Sequence, residues 1–184
     1  HNFSGETIVI YTKDSNGGEK FKSTEDFEKT LIHEILHAYT SKVIYVIENP
    51  SYDQALYDSL PQSVIDAYNK LNTLKRGVKA QLLANGKISK ESEAATKKYI
   101  ESNRGTEDLA EYMKFKNSSP ANAKLAEMSY TTSSVEEMIT NVLTKKDLKE
   151  SIDKSTLDKI IELIKDLLGI KGDKISEMIR NTTF

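Results

Sequence analysis

The segment His33-Glu34-Ile35-Leu36-His37 restricts the structure of this chain more than any other part of its sequence. Residues four apart on an α-helix lie on one face, so both imidazole rings can reach the same metal ion. The chain has 3 histidines and the remaining one is His1, so histidine is not scattered along the sequence. The segment therefore predicts a helix that presents His33 and His37 to one zinc ion, the alternative being a chance spacing on an ordinary helix.

Glu34 follows the first histidine directly, which gives the pattern HExxH. Zinc in catalytic sites keeps one coordination position open for water, and a neighbouring carboxylate can take a proton from that water. We therefore predict Glu34 as the general base of a hydrolytic reaction.

The third zinc ligand does not come from the best-known extensions of this pattern. The longer pattern HExxHxxGxxH needs a glycine and a histidine where this chain has Thr40 and Val43. A Gly-Thr-x-x-Asp pattern begins at Gly105, but Leu109 stands where the aspartate is needed. The chain also has no cysteine. A carboxylate on a later helix is the natural remaining ligand.

Two candidate carboxylates lie on a helix predicted over residues 135–143. Glu136 and Glu137 flank its apolar stripe on either side, so helical angle does not decide between them. Glu137 has Asn141 one turn later, which can hold a neighbour of the ligand or a motif histidine by a hydrogen bond, whereas Glu136 has only Thr140. We predict Glu137 as the third ligand. If both are solvated acids instead, the alternatives are Glu127 and Asp108.

The order of elements predicts an α+β fold that is mostly helical, with a small sheet. Residues 7–11 are β-branched and aromatic, which predicts a strand. Ser23 can cap the HExxH helix, which we expect to end at about Val43. Capping residues and apolar spacing predict further helices over residues 62–83, 89–102, 107–115, 135–143 and 157–168, with residues 117–120 as a loop.

The sequence resembles the gluzincins, in which a downstream Glu on a second helix is the third ligand. Within that group it resembles the metallopeptidase domain of large polyvalent proteins of phages and mobile elements. The similar segments are residues 30–40 (TLIHEILHAYT), 130–138 (YTTSSVEEM), 141–144 (NVLT) and 160–169 (IIELIKDLLG). The resemblance implies one zincin-like domain over residues 1–184, with a helical insertion at about 45–125. It also implies an acidic residue at position 141, where this chain has Asn141.

Tyr130 is a further candidate for the reaction. Its hydroxyl could donate a hydrogen bond to the oxyanion of a tetrahedral intermediate. The spacing between Tyr130 and Glu137 also favours Glu137 as ligand by resemblance to the phage domain. The alternative role of Tyr130 is packing, since the chain has 9 tyrosines.

These features predict a zinc-dependent endopeptidase with one zinc per chain and a peptide or protein substrate. One alternative is a non-catalytic zinc-binding structural domain of a phage particle or a larger polyprotein. The presence of Glu34 argues against it, because a structural zinc needs no base. Hydrolysis of a non-peptide amide is a third possibility, because the metal chemistry is the same.

Composition excludes several other classes of protein. The net charge of -2 does not favour nucleic acid as a partner. No apolar run approaches the roughly 20 residues that span a bilayer, and no signal peptide is visible. We therefore expect a soluble protein. The composition leaves its localisation open, and the resemblance to the phage domain implies a phage virion or the host cytoplasm. The chain begins with His1 rather than Met, and we expect it to be processed or cut from something longer.

Overall fold

The computed structural model describes residues 10–13, 17–101 and 106–169, with only the backbone described at 106–108. The chain divides into two compact units, residues 1–60 and residues 61–184. The first contains α1 (Thr24–Glu48), a 3-10 turn (Pro50–Tyr52) and α2 (Gln54–Ser59). The second contains α3 (Gln62–Ala84), α4 (Lys90–Glu101), α5 (Thr106–Asn117), α6 (Pro120–Thr131), α7 (Val135–Thr144), α8 (Lys146–Ser151) and α9 (Lys154–Leu168).

Helix α1 carries the HExxH segment and begins where the sequence predicts. The Ser23 hydroxyl oxygen accepts a hydrogen bond from the backbone N–H of Asp26 at 3.1 Å, which satisfies a donor that the helix itself leaves unpaired. The helix runs past its predicted end at about Val43, because Ile44 and Val46 continue the buried face. Within the first unit, α1 packs against the 3-10 turn and α2.

Helices α3 and α9 form the most extensive helix pair of the second unit. Their buried residues recur three, four or seven positions apart, as one face of a helix requires. In α3 these residues are Val64, Ala67, Tyr68, Leu71, Val78 and Leu82, and in α9 they are Ile160, Ile164 and Leu167.

Truncating the fully buried Leu71 to alanine should lower the free energy of unfolding by about 2–5 kcal/mol, because it removes apolar contacts and leaves a cavity.

Helices α4, α5 and α6 pack against one another in the same unit. The hydroxyls of Ser92 in α4 and Ser129 in α6 are hydrogen-bonded at 2.6 Å inside this cluster. The sequence predicted a loop over residues 117–120 and no helix between this loop and residue 135, and the presence of α6 corrects this. Ser119 caps α6 and Pro120 is its first residue, so a Ser-Pro pair that we assigned to a loop begins a helix.

The predicted α+β fold with a small sheet is wrong. The described residues are mostly helical and contain no strand, and their β pairing is an isolated antiparallel bridge between Lys13 and Glu19. Of the predicted strand, residues 7–9 lie outside the described residues, and Ile10 and Tyr11 belong to no regular element. A strand needs a partner strand to satisfy its backbone groups, and the apolar residues elsewhere recur at helical spacing.

The described helices include none that is long and apolar enough to cross a membrane. The predicted single domain over residues 1–184, with its insertion at about 45–125, stays a prediction.

The N-terminus of α9 leads to a prediction about acid stability. Hydrogen bonds from the Thr156 side chain and backbone, and from Gln81, lower the pKa of Asp153 from 3.8 to about 2. A lowered pKa stabilises the folded state fully above the unfolded value, and this contribution is lost as the pH falls from about 4 to about 2. Asp153→Asn, which can still cap the helix, should therefore lose less stability over this range in urea unfolding.

The matched control for this experiment is Asp158→Asn, which removes an exposed carboxylate from the same helix. Equal acid sensitivity of wild type and Asp153→Asn would contradict the assignment.

Candidate metal centre

The imidazole rings of the two histidines of α1 lie close together. Nε2 of His33 and Nε2 of His37 lie 3.0 Å apart, and the ring planes are 73° from parallel. Two nitrogens bound to one tetrahedral zinc would lie about 3.3 Å apart, given bonds of about 2.0–2.1 Å. His37 is 5% exposed and His33 is half-buried. The pair therefore has a spacing that suits a shared metal ion.

Glu137 occupies the first turn of α7, where local hydrogen bonds hold both its backbone and its side chain. The Ser134 hydroxyl caps the helix by accepting from the Glu137 backbone N–H at 3.0 Å. Nδ2 of Asn141 donates to Oε2 of Glu137 at 3.1 Å and to the Glu137 backbone carbonyl at 2.7 Å. The hydrogen bonds from Nδ2 of Asn141 thus end on the glutamate itself, rather than on a motif histidine or a neighbour of the ligand.

His33, His37 and Glu137 form a group that could hold a metal ion. Each offers one ligand atom, and these atoms all lie within 4.8 Å of one another. Atoms bound to one tetrahedral zinc lie about 3.3–3.5 Å apart, which is within this limit. Two imidazoles and one carboxylate are a donor set that zinc accepts.

Two of the competing carboxylates, Glu136 and Glu127, do not belong to this group. Glu136 is half-buried on α7 but outside it. Glu127 lies on α6, where Lys145 Nζ contacts its carboxylate at 2.7 Å. The sequence did not indicate this ion pair, because its partners belong to different segments. The side chain of Asp108 lies outside the described residues.

Glu34 and Tyr130, the two residues predicted to act on the substrate, lie on different helices. Glu34 is half-buried on α1, next to His33. Tyr130 is half-buried in the last turn of α6, a helix that the sequence analysis missed. The proposed roles of Glu34 as base and of Tyr130 as oxyanion donor stay predictions.

Comparison with known proteins finds no family model, no curated protein and no solved structure that matches this chain.

Proposed function

We propose that this chain is a zinc-dependent endopeptidase of the gluzincin type. His33, His37 and Glu137 would bind the zinc, and Glu34 would be the general base. The observation that supports the proposal is the placement of three ligand atoms within 4.8 Å of one another, next to the glutamate of an HExxH segment.

The number of ligands favours a catalytic over a structural site. Among the described residues, the group contains no fourth histidine or carboxylate, and the chain has no cysteine. Structural zinc sites are closed by four protein ligands, whereas catalytic sites use three and keep a position for water or substrate. The three-residue group therefore fits catalysis better than a purely structural role.

Bound zinc would supply a Lewis acid that polarises the substrate carbonyl and lowers the pKa of a water molecule. The Glu34 carboxylate would accept the proton of that water as its oxygen forms a bond to the carbonyl carbon. The Tyr130 hydroxyl would donate a hydrogen bond to the developing oxyanion. When the C–N bond breaks, Glu34 would return the proton to the leaving nitrogen, so that the acid and the amine are the products.

We expect about one zinc per chain in protein purified without chelator. Two imidazoles and a carboxylate bind zinc reversibly, so a strong chelator should remove the metal and added zinc should restore it. Elemental analysis of protein before chelation, after chelation and after zinc addition measures this. If no transition metal is present and none binds on addition, the proposed function is wrong.

A peptide library tests the reaction itself. We expect the zinc-loaded protein to cleave peptide bonds and the chelated protein not to, with activity returning when zinc is added. Including non-peptide amides in the library separates a peptidase from another amidohydrolase. Zinc binding without hydrolysis of any of these substrates would favour the structural alternative, a zinc-binding domain of a phage particle or larger polyprotein.

A further inference from the structure

Asn141 is a buried polar side chain that contacts the carboxylate of Glu137. It is 2% exposed, and its chain neighbours Thr140 and Val142 are buried as well. Its Nδ2 group donates to Glu137 Oε2 at 3.1 Å and to the Glu137 backbone carbonyl at 2.7 Å. Both hydrogens of the amide are thus directed at Glu137, because a side-chain NH2 group has two donors.

The carbonyl oxygen of the Asn141 side chain lowers the stability of the folded state, so an apolar residue would be more stable at this position. Oδ1 of Asn141 is buried and has no hydrogen-bond partner among the described residues. A buried acceptor without a partner destabilises the folded state, whereas an apolar side chain of similar shape carries no such penalty. The contribution of Asn141 therefore has to come from the two bonds that it donates.

The hydrogen bond from Asn141 to Oε2 restricts the side-chain rotamers of Glu137, which favours its use as a metal ligand. A free glutamate side chain has several accessible rotamers, and ordering it on metal binding costs conformational entropy. A carboxylate already held through Oε2 has lost part of this freedom before any metal binds. Hydrogen bonds of this kind orient metal ligands in proteins generally.

We propose that Asn141 is a positioning residue that holds the Glu137 carboxylate ready to bind the metal, at some expense to the stability of the metal-free fold. This inference rests on the proposed function, because it requires that Glu137 is a ligand. Beyond the proposed function, a neutral amide would have the task of ordering that ligand.

Zinc affinity and metal-free stability should respond in opposite directions to Asn141→Leu. We expect the zinc affinity, measured by competition with a chromogenic chelator, to fall about 10–100-fold, the range typical for residues that position a ligand. The metal-free variant should melt at or above the wild-type temperature, because the unpaired buried acceptor is gone. A residue with only a structural role would lower the melting temperature instead.

Two further variants keep this test decisive. If the leucine variant folds poorly, Asn141→Ala takes its place, because alanine leaves space rather than adding methyl groups. The zinc affinity of the alanine variant should fall to a similar extent. Thr140→Val is the matched control: the Thr140 hydroxyl is buried and also donates to the Glu137 backbone carbonyl, at 3.1 Å, but makes no bond to the carboxylate. Its zinc affinity should equal that of wild type.

A double-mutant cycle connects the effect to the glutamate. In a Glu137→Ala background, Asn141→Leu should leave the residual zinc affinity unchanged, because no carboxylate remains to be positioned. Equal losses in the two backgrounds, or wild-type affinity in both Asn141 variants, would overturn the inference while leaving zinc binding itself intact. A wild-type protein that binds no zinc would overturn the proposed function as well, so the two failures are distinguishable.

Discussion

Replacement of Glu34 by glutamine is expected to reduce peptide hydrolysis by about 10²–10⁴-fold while zinc binding and the fold are retained. Glutamine has nearly the same shape as glutamate, but its amide cannot accept the proton of the attacking water. Because Glu34 is not among the three predicted ligands, the zinc content should stay at about one per chain. Turnover of the zinc-loaded variant, together with elemental analysis and circular dichroism, measures all three quantities.

The matched control is Glu28→Gln, the same substitution at an exposed position of α1. It changes the charge of the chain equally and should leave turnover unchanged. If Glu34→Gln cleaves peptides at the wild-type rate, Glu34 is not the base. If wild type and variant are both inactive but bind zinc, the structural alternative gains support.

Replacement of Glu137 by alanine should cause the largest loss of zinc affinity of any single change to a carboxylate. It removes a direct ligand, so the loss should exceed the roughly 10–100-fold effect typical of residues that only position a ligand. Competition with a chromogenic chelator measures the affinity, and the smaller rise in melting temperature on adding zinc provides an independent measure.

Glu136→Ala is the matched control, because Glu136 is the preceding residue of α7 and is also half-buried. It should bind zinc like wild type. The reverse result, with tight binding by Glu137→Ala and weak binding by Glu136→Ala, would transfer the role of third ligand to Glu136.

Local signals were enough to predict most helices. Ser23 was identified as a cap from the sequence, and in the structure its hydroxyl accepts a backbone N–H three residues later. The Ser134 hydroxyl does the same at the start of the helix predicted over residues 135–143. The last helix was predicted to end at residue 168, and the following Gly169 adopts φ 64, a conformation that costs glycine little. Such features depend on residues within one or two turns, so the sequence contains the information that determines them.

Interactions between distant segments were not predictable in the same way. The strand over residues 7–11 was predicted from β-branched composition, but a sheet depends on a second strand elsewhere in the chain, and the described residues contain none. The loop predicted before α6 failed for a related reason. Ser119-Pro120 is compatible with a turn or with a helix start, and the packing of α6 against α4 and α5 stabilises the helix.

The sequence by itself determined the spacing of His33 and His37, because four residues on any α-helix bring two side chains to one face. It also determined that Asn141 lies one helical turn after Glu137, within reach of a hydrogen bond. It left open which of Glu136 and Glu137 joins the histidines, since both flank the same apolar stripe. Only the tertiary structure places Glu137 in the group, because the rotation of α7 about its axis is set by what its buried residues pack against.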